Sequence, residues 1–125
     1  MAKRYITEVA GVPPLPSPIS NAVVCGDTCH ISGQLCVYED GYRAAEAGQE
    51  AARAFELLFL IAKEAGFDVH DIVYVDVAFI DMERDVAAVN ALMAELFDRP
   101  PARTVYQAAK LPYGAKIKVQ AVAMR

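Results

Sequence analysis

Hydrophobic and polar residues alternate at the start of the chain in a way that predicts strands. A short strand is expected around residues 4–9, and the proline cluster of residues 11–18 then restricts the backbone to an extended loop. Two β-prone runs within residues 21–32 flank Gly26-Asp27. This arrangement is typical of a hairpin with a two-residue turn, because glycine readily adopts the positive φ that such turns require.

Helical spacing replaces alternation over residues 44–65, which predicts a first helix that ends at Gly66. Its buried face is predicted to consist of Ala47, Ala51, Ala54, Phe55, Leu58, Ile61 and Ala62. Charged residues such as Arg53 and Glu56 occupy the opposite face. Leu57 and Leu60 fall on that polar face either as isolated apolar residues, the favoured interpretation, or as a small contact patch.

A strand over residues 71–80 and a second helix complete the middle of the chain. The strand alternates, and its predicted buried face is Val73, Val75, Val77 and Phe79. Asp81 is predicted to cap the helix that follows, whose core stripe is Val86, Val89, Met93, Leu96 and Phe97. Asn90 lies within that stripe, so it is expected to need a polar partner.

Two final strands are predicted at residues 103–108 and 116–124, after the segment Arg99-Pro-Pro101. In the last strand, Lys116, Lys118 and Gln120 point away from the apolar residues. The order β-β-β-α-β-α-β-β predicts one α+β domain over residues 1–125, with both helices on one face of a sheet. The other face of the sheet is then left without a cover.

Composition adds an expectation about assembly. The 125 residues are 55% hydrophobic and their mean hydropathy is +0.23, which is high for a domain with so little interior. We therefore expect an oligomer.

A net charge of −4 with scattered basic residues argues against a nucleic-acid partner. No apolar run reaches the ~20 residues of a membrane span, and no apolar stretch follows Lys3 and Arg4, so a cytoplasmic protein is expected.

Cysteine and histidine offer only weak candidates for chemistry. The spacing of Cys25, Cys29 and His30 allows a metal site, but no second pair of ligands accompanies it. Small buried side chains are the favoured interpretation of these cysteines and of Cys36. His30 and His70 are not predicted to act as bases, and no metal is expected.

Arg103 is the strongest candidate for a binding residue. It opens a strand directly after a stiff proline pair, at a position where subunits could meet. A planar guanidinium can bind both oxygens of a carboxylate, so one hypothesis is a substrate clamp. An ion pair between subunits is an equally acceptable interpretation of the same residue.

Motifs along almost the whole chain resemble those of the RidA (YjgF) family. The most specific is Pro101-Ala-Arg-Thr104, and it is followed by Leu111-Pro112 and by the final strand, residues 116–123. Further similar segments are Ser17–Ala22, Ile31–Gln34, Ala65-Gly66, Asp71–Val73, Val89-Asn90 and Phe97. The resemblance implies a chorismate-mutase-like fold with a mixed six-stranded sheet, assembled as a homotrimer with pockets between subunits.

The resemblance also implies an activity and a set of site residues. Typical members hydrolyse reactive imines and enamines to 2-oxo acids and ammonia without a cofactor. Arg103 would hold the substrate carboxylate, the backbone of Val105 its nitrogen end, and Gly33 and Asn90 would lie in the pocket or the interface. Gln120 stands where a glutamate orients water, and Ile19 where a loop tyrosine is common. Glutamine can hydrogen-bond a water but cannot take its proton.

We therefore expect an imine or enamine deaminase whose partners are a carboxylate substrate and copies of itself. The alternative is a non-catalytic trimer that binds a carboxylate as a sensor or scaffold, a role consistent with Gln120. RNA cleavage is the least favoured activity, because the chain is acidic and has no groove of basic and aromatic residues.

Overall fold

A computed structural model of the protein describes residues 2–125. The strands of the main sheet are β1 (Lys3–Ile6), β2 (Ala22–Cys25), β3 (Thr28–Gln34), β6 (Ile72–Phe79), β7 (Ala102–Gln107) and β8 (Ile117–Met124). A short two-stranded ribbon is formed by β4 (Val37–Tyr38) and β5 (Gly41–Tyr42), and the helices are α1 (Ala47–Glu64) and α2 (Met82–Leu96). Single 3-10 turns cover Val69–Asp71 and Pro112–Gly114.

The six-stranded sheet has the order β1-β2-β3-β8-β6-β7. Only β6 and β7 are parallel, and the other neighbours are antiparallel, so the predicted mixed α+β sheet is confirmed. Gly26 has a φ of 59° in the two-residue turn between β2 and β3, as the sequence predicts. The strands at the two edges are β1 and β7.

The core lies between one face of the sheet and the two helices. Ile117, Val119, Ala121 and Ala123 of β8 are buried on that face, while Gln120 between them is exposed. The helices meet through aromatic rings, and Phe97 after α2 packs edge-on against Phe55 and Phe59 of α1 at 5.9 and 5.7 Å between centroids. Both helices therefore cover the same face, and the opposite face, the open face, has no helix on it.

The first helix differs from its prediction at its start and in the width of its buried face. It begins at Ala47 rather than Ala44, because the Gln49 side chain accepts from the Glu46 N–H (3.2 Å) and so caps the helix there. Leu57 is only 1% exposed, so its assignment to the polar face was wrong. It follows Ala54 by three residues and precedes Ile61 by four, which places all three on one helix face.

Two features of the strands were not predicted. The pairing of β6 with β8 shifts between Ile72 and Tyr74, so Val73 is an extra residue in the ladder. Val73 is 40% exposed and Ile72 is buried in its place, which corrects the predicted alternation, while Val75, Val77 and Phe79 are buried as predicted. The β4–β5 ribbon is also new, and it comes directly before α1.

Glu50 joins the ribbon, the start of α1 and the start of β8. Its side chain is fully buried, and its carboxylate accepts from the Tyr42 hydroxyl (2.7 Å) and from the N–H groups of Ala45 (3.2 Å) and Lys116 (3.1 Å). The Lys116 ammonium lies 3.5 Å away. Burial, together with the hydrogen bond to this carboxylate, raises the pKa of Tyr42. One buried anion thus connects the ribbon and the start of α1, which are close in sequence, to Lys116, 66 residues away from Glu50.

We predict that Glu50→Ala lowers the free energy of unfolding by about 3–5 kcal/mol, because it leaves buried donors and a lysine without their acceptor. Denaturant unfolding measures the change. Glu64→Ala, on the exposed end of the same helix, serves as the control and should change it by no more than about 0.5 kcal/mol. Equal effects of the two substitutions would contradict the role assigned to Glu50.

Candidate functional site

Arg103 lies at the edge of the sheet, where β7 borders α2. Its guanidinium donates to the Asn90 side-chain oxygen (2.7 Å) and contacts the Met93 sulfur (3.6 Å). These two partners are neutral, and Arg103 forms no ion pair within residues 2–125. A cavity of about 210 Å³ opens beside it, lined also by Pro100 and Pro101. The arginine is therefore positioned but not neutralised, as a carboxylate-binding residue would need to be.

The backbone of Val105 faces the free edge of the sheet. The N–H of Ala108 donates to the Phe79 carbonyl (2.7 Å), so the even-numbered residues of β7 turn their backbone groups toward β6. The odd-numbered residues, Arg103 and Val105 among them, then present theirs to the open edge. The Val105 side chain packs on the core. Arg103, Asn90 and the Val105 backbone thus form one group, which we call the edge group.

Gln120 lies elsewhere, on the open face of the sheet. Its amide nitrogen donates to Asp76 (3.2 Å), whose other oxygen accepts from the Tyr74 hydroxyl (2.9 Å). The same hydroxyl is 2.5 Å from Thr104 of β7. His30 lines a cavity of about 390 Å³ together with Gln120, Asp76 and Tyr74. This polar cluster faces away from the helices, whereas the side chain of Arg103 lies on the helix-covered side.

Gly33 lies where β3 becomes irregular, and its neighbour is Lys118 rather than Gln120. The pairing of β3 with β8 shifts between Ile31 and Gln34, so the backbone around Gly33 leaves the regular ladder. A methyl group at position 33 would lie 3.0 Å from Cδ of Lys118. The stem of this lysine therefore covers the glycine, and a larger residue at position 33 would displace it.

Ile19 is separate from both groups. It is 53% exposed at the end of the proline-rich loop, where it lines a cavity of about 630 Å³ formed largely by residues 7–17. The structure of one protomer thus brings together Arg103, Asn90 and Val105, and leaves Gln120, Gly33 and Ile19 at other places on its surface.

Sequence reasoning missed Asp76 and Lys118 as neighbours of candidate site residues. The alternation of β8 already placed Lys118 on the same face as Gln120, which was the available signal for it. The register that aligns Asp76 with Gln120 had no signal in the sequence.

The interpretation of the cysteines as buried was wrong for Cys25, which is exposed, and right for Cys29 and Cys36. Burial raises the pKa of both buried thiols.

Within residues 2–125, no three His, Cys, Asp or Glu side chains are grouped in a way that could bind a metal ion. Neither described helix combines the length and apolarity that a transmembrane span requires.

Comparison with known proteins identifies the family. The model of the family described as Endoribonuclease L-PSP matches residues 13–125. The chain belongs to this family, the RidA (YjgF) family. A 2-iminobutanoate/2-iminopropanoate deaminase of Capra hircus is 34% identical over 125 residues, which cover 98% of this chain and 90% of the relative. A RutC family protein of Leuconostoc mesenteroides is 32% identical over the full length of both chains.

Two solved structures agree with this fold. The YjgF gene product of E. coli is 29% identical, with a TM-score of 0.89 over 98% of this chain and 99% of that one. E. coli TdcF, crystallised with bound serine, has the same identity, TM-score and coverage. The fold predicted from the resemblance is therefore confirmed, at moderate sequence distance.

We predict that Asn90→Asp weakens carboxylate binding about tenfold, because the new carboxylate would pair with Arg103 and neutralise it. The measurement is the shift of Tm with increasing pyruvate. Asn90→Ala is the matched control, since it removes the hydrogen bond but adds no charge. If Asp and Ala at position 90 weakened binding equally, neutralisation of Arg103 would not be the cause.

Proposed function

We propose that this RidA protein hydrolyses imines and enamines of 2-amino acids to 2-oxo acids and ammonia. The relationship to proteins named 2-iminobutanoate/2-iminopropanoate deaminase supports this class of reaction. The observation that carries the proposal is the un-neutralised guanidinium of Arg103 beside an open cavity. A negatively charged substrate is its natural complement.

Imine hydrolysis mainly requires that the protein position its substrate. The edge group can provide much of that positioning. A water oxygen bonds to the imine carbon, the carbon–nitrogen bond breaks, and the protons released go to the leaving ammonia. The imine carbon is already electrophilic, so positioning is the main requirement. Arg103 would hold the carboxylate, and the free backbone groups of Val105 at the sheet edge would bind the nitrogen end.

We propose further that the complete site forms between subunits of a homotrimer. The open face carries exposed apolar side chains, including Tyr5 (60%), Tyr106 (41%) and Met124 (50%), which contact between copies would bury. Packing of these faces would also allow the edge group of one protomer to approach Gly33 and Ile19 of the next. Candidate site residues that lie apart in a single protomer would then lie in one cleft.

Gln120 is proposed to orient the attacking water, with Asp76 behind it. The amide cannot take a proton, but it donates to the Asp76 carboxylate and leaves its own oxygen free to accept a hydrogen bond. Asp76 is thus the nearest carboxylate that could receive a proton from this region. In this arrangement Gln120 is a positioning residue for the water.

A carboxylate-binding protein without turnover is the second candidate function. The observation that favours it is the absence of any acidic side chain among the residues lining the Arg103 cavity.

RNA cleavage, suggested by the family's descriptive name, is not proposed. His30 lies on the open face and His70 in the turn before β6, so they form no pair in the described fold.

We predict that Arg103→Ala lowers kcat/KM for imine hydrolysis by about 100-fold or more, because it removes charge-assisted hydrogen bonds to the substrate carboxylate. Ammonia release from an imino acid generated in situ by an amino-acid oxidase is the measurement. Arg99→Ala, an exposed arginine just before β7, is the control and should retain the wild-type rate. A wild-type protein that binds pyruvate but never accelerates ammonia release would favour the binding function instead.

Gln120 gives a separate prediction. Gln120→Glu should raise kcat by about tenfold or more, since a carboxylate at this position could accept the proton of the water. The new carboxylate would lie close to Asp76, and this repulsion raises the pKa of one of the pair. The increase in kcat of Gln120→Glu should therefore appear only as the pH rises through that raised pKa. A pH profile identical to that of the wild type would argue against a water site at Gln120.

A further inference from the structure

Lys118 is, like Arg103 and six other Lys or Arg side chains, without an ion pair among the described residues, and it is the one of them whose stem lies on Gly33. Among residues 2–125 it forms no ion pair, whereas its neighbour Lys116 lies 3.5 Å from the buried Glu50. The nearest acidic residue along the pairing of β6 with β8 is Asp76, which is opposite Gln120, not Lys118. Both Asp76 oxygens already accept hydrogen bonds from Gln120 and Tyr74.

The position of Lys118 is linked to that of Gly33. Its stem lies on the glycine, with Cδ, Cγ and Cε at 3.0, 3.3 and 3.4 Å from the point that a methyl group on Gly33 would occupy. Glycine thus permits the lysine to lie flat across the irregular part of β3. Any molecule that approaches the Gly33 backbone therefore meets the Lys118 side chain.

We infer that Lys118 binds a second anionic group of the substrate, so that the preferred substrate is a 2-imino acid whose side chain ends in a carboxylate. This inference rests on the proposed function, which places Gly33 of one protomer and Arg103 of the next in one cleft. That cleft then holds two un-neutralised cations. Arg103 takes the carboxylate beside the imine carbon, and Lys118 takes the carboxylate at the other end.

Charge complementarity explains why the second cation favours this substrate class. A lysine beside a substrate with an apolar side chain would lose water without gaining a partner, which costs free energy. A dicarboxylic imine offers that partner, and its charge-assisted hydrogen bond with Lys118 offsets the cost of desolvation. The reaction is unchanged: water adds to the imine carbon, and ammonia leaves. Lys118 acts on specificity rather than on the bonds that break and form.

The test compares two imines made in situ by amino-acid oxidases, one from aspartate and one from alanine. The readout is the ratio of kcat/KM for the dicarboxylic imine to kcat/KM for the monocarboxylic imine. We expect a ratio above one, a fall of about tenfold in Lys118→Met, and recovery in Lys118→Arg. Lys63→Met, on the exposed end of α1, is the control and should keep the wild-type ratio.

The possible outcomes separate the inference from the proposed function. If the protein hydrolyses imines but the ratio is below one, or is unchanged in Lys118→Met, the inference is wrong and the proposed function stands. If no imine is hydrolysed, the proposed function fails and the shift of Tm by 2-oxoglutarate and by 2-oxobutanoate decides the inference. A larger shift with the dicarboxylate that disappears in Lys118→Met supports it, and equal shifts overturn it.

Discussion

The sheet is covered on one face only, and the locations of Arg103 and Gln120 depend on this constraint. Two helices suffice to bury alternate residues of β8, so the remaining side chains of that strand lie on a face with no cover. Arg103 points to the helix-covered side, where it bonds to Asn90 of α2, and it stays exposed because β7 is an edge strand. The chain therefore offers an open face and a free edge, the two surfaces that the proposed trimer would bring together.

Charged residues that support the fold have charged or multiple hydrogen-bonding partners, whereas a residue available to bind a ligand has only neutral ones. Glu50 and Asp85 are buried and satisfied: Glu50 by Tyr42, two N–H groups and Lys116, and Asp85 by two hydrogen bonds from Arg84 at 2.8 Å. Hydrogen bonding to Asp85 raises the pKa of Arg84. Arg103 has only neutral partners, so its charge is still available to a ligand.

Periodicity in the sequence predicts the elements well, because burial on one face imposes a period of two or of 3.6 residues. It fails where the backbone departs from that period. The extra residue at Val73 exposes a valine that alternation would bury. Leu57 is buried on the same helix face as Ala54 and Ile61, so the buried face of α1 is wider than its most regular apolar stripe indicates. For the site, Asn90 was correctly expected to need a partner, and Arg103 is that partner. The pairs Gln120–Asp76 and Gly33–Lys118 depend on strand register, which alternation alone does not specify.

A site built this way can be specific without containing a strong base. Hydrolysis of an imine is limited by placing water and substrate together, and an amide such as Gln120 can orient a water without holding a charge of its own. A carboxylate at the same position would instead attract Lys118, two residues away on the same face of β8, and would compete with an anionic substrate for it. On the proposed function, the neutral amide thus leaves Arg103 and Lys118 to the substrate.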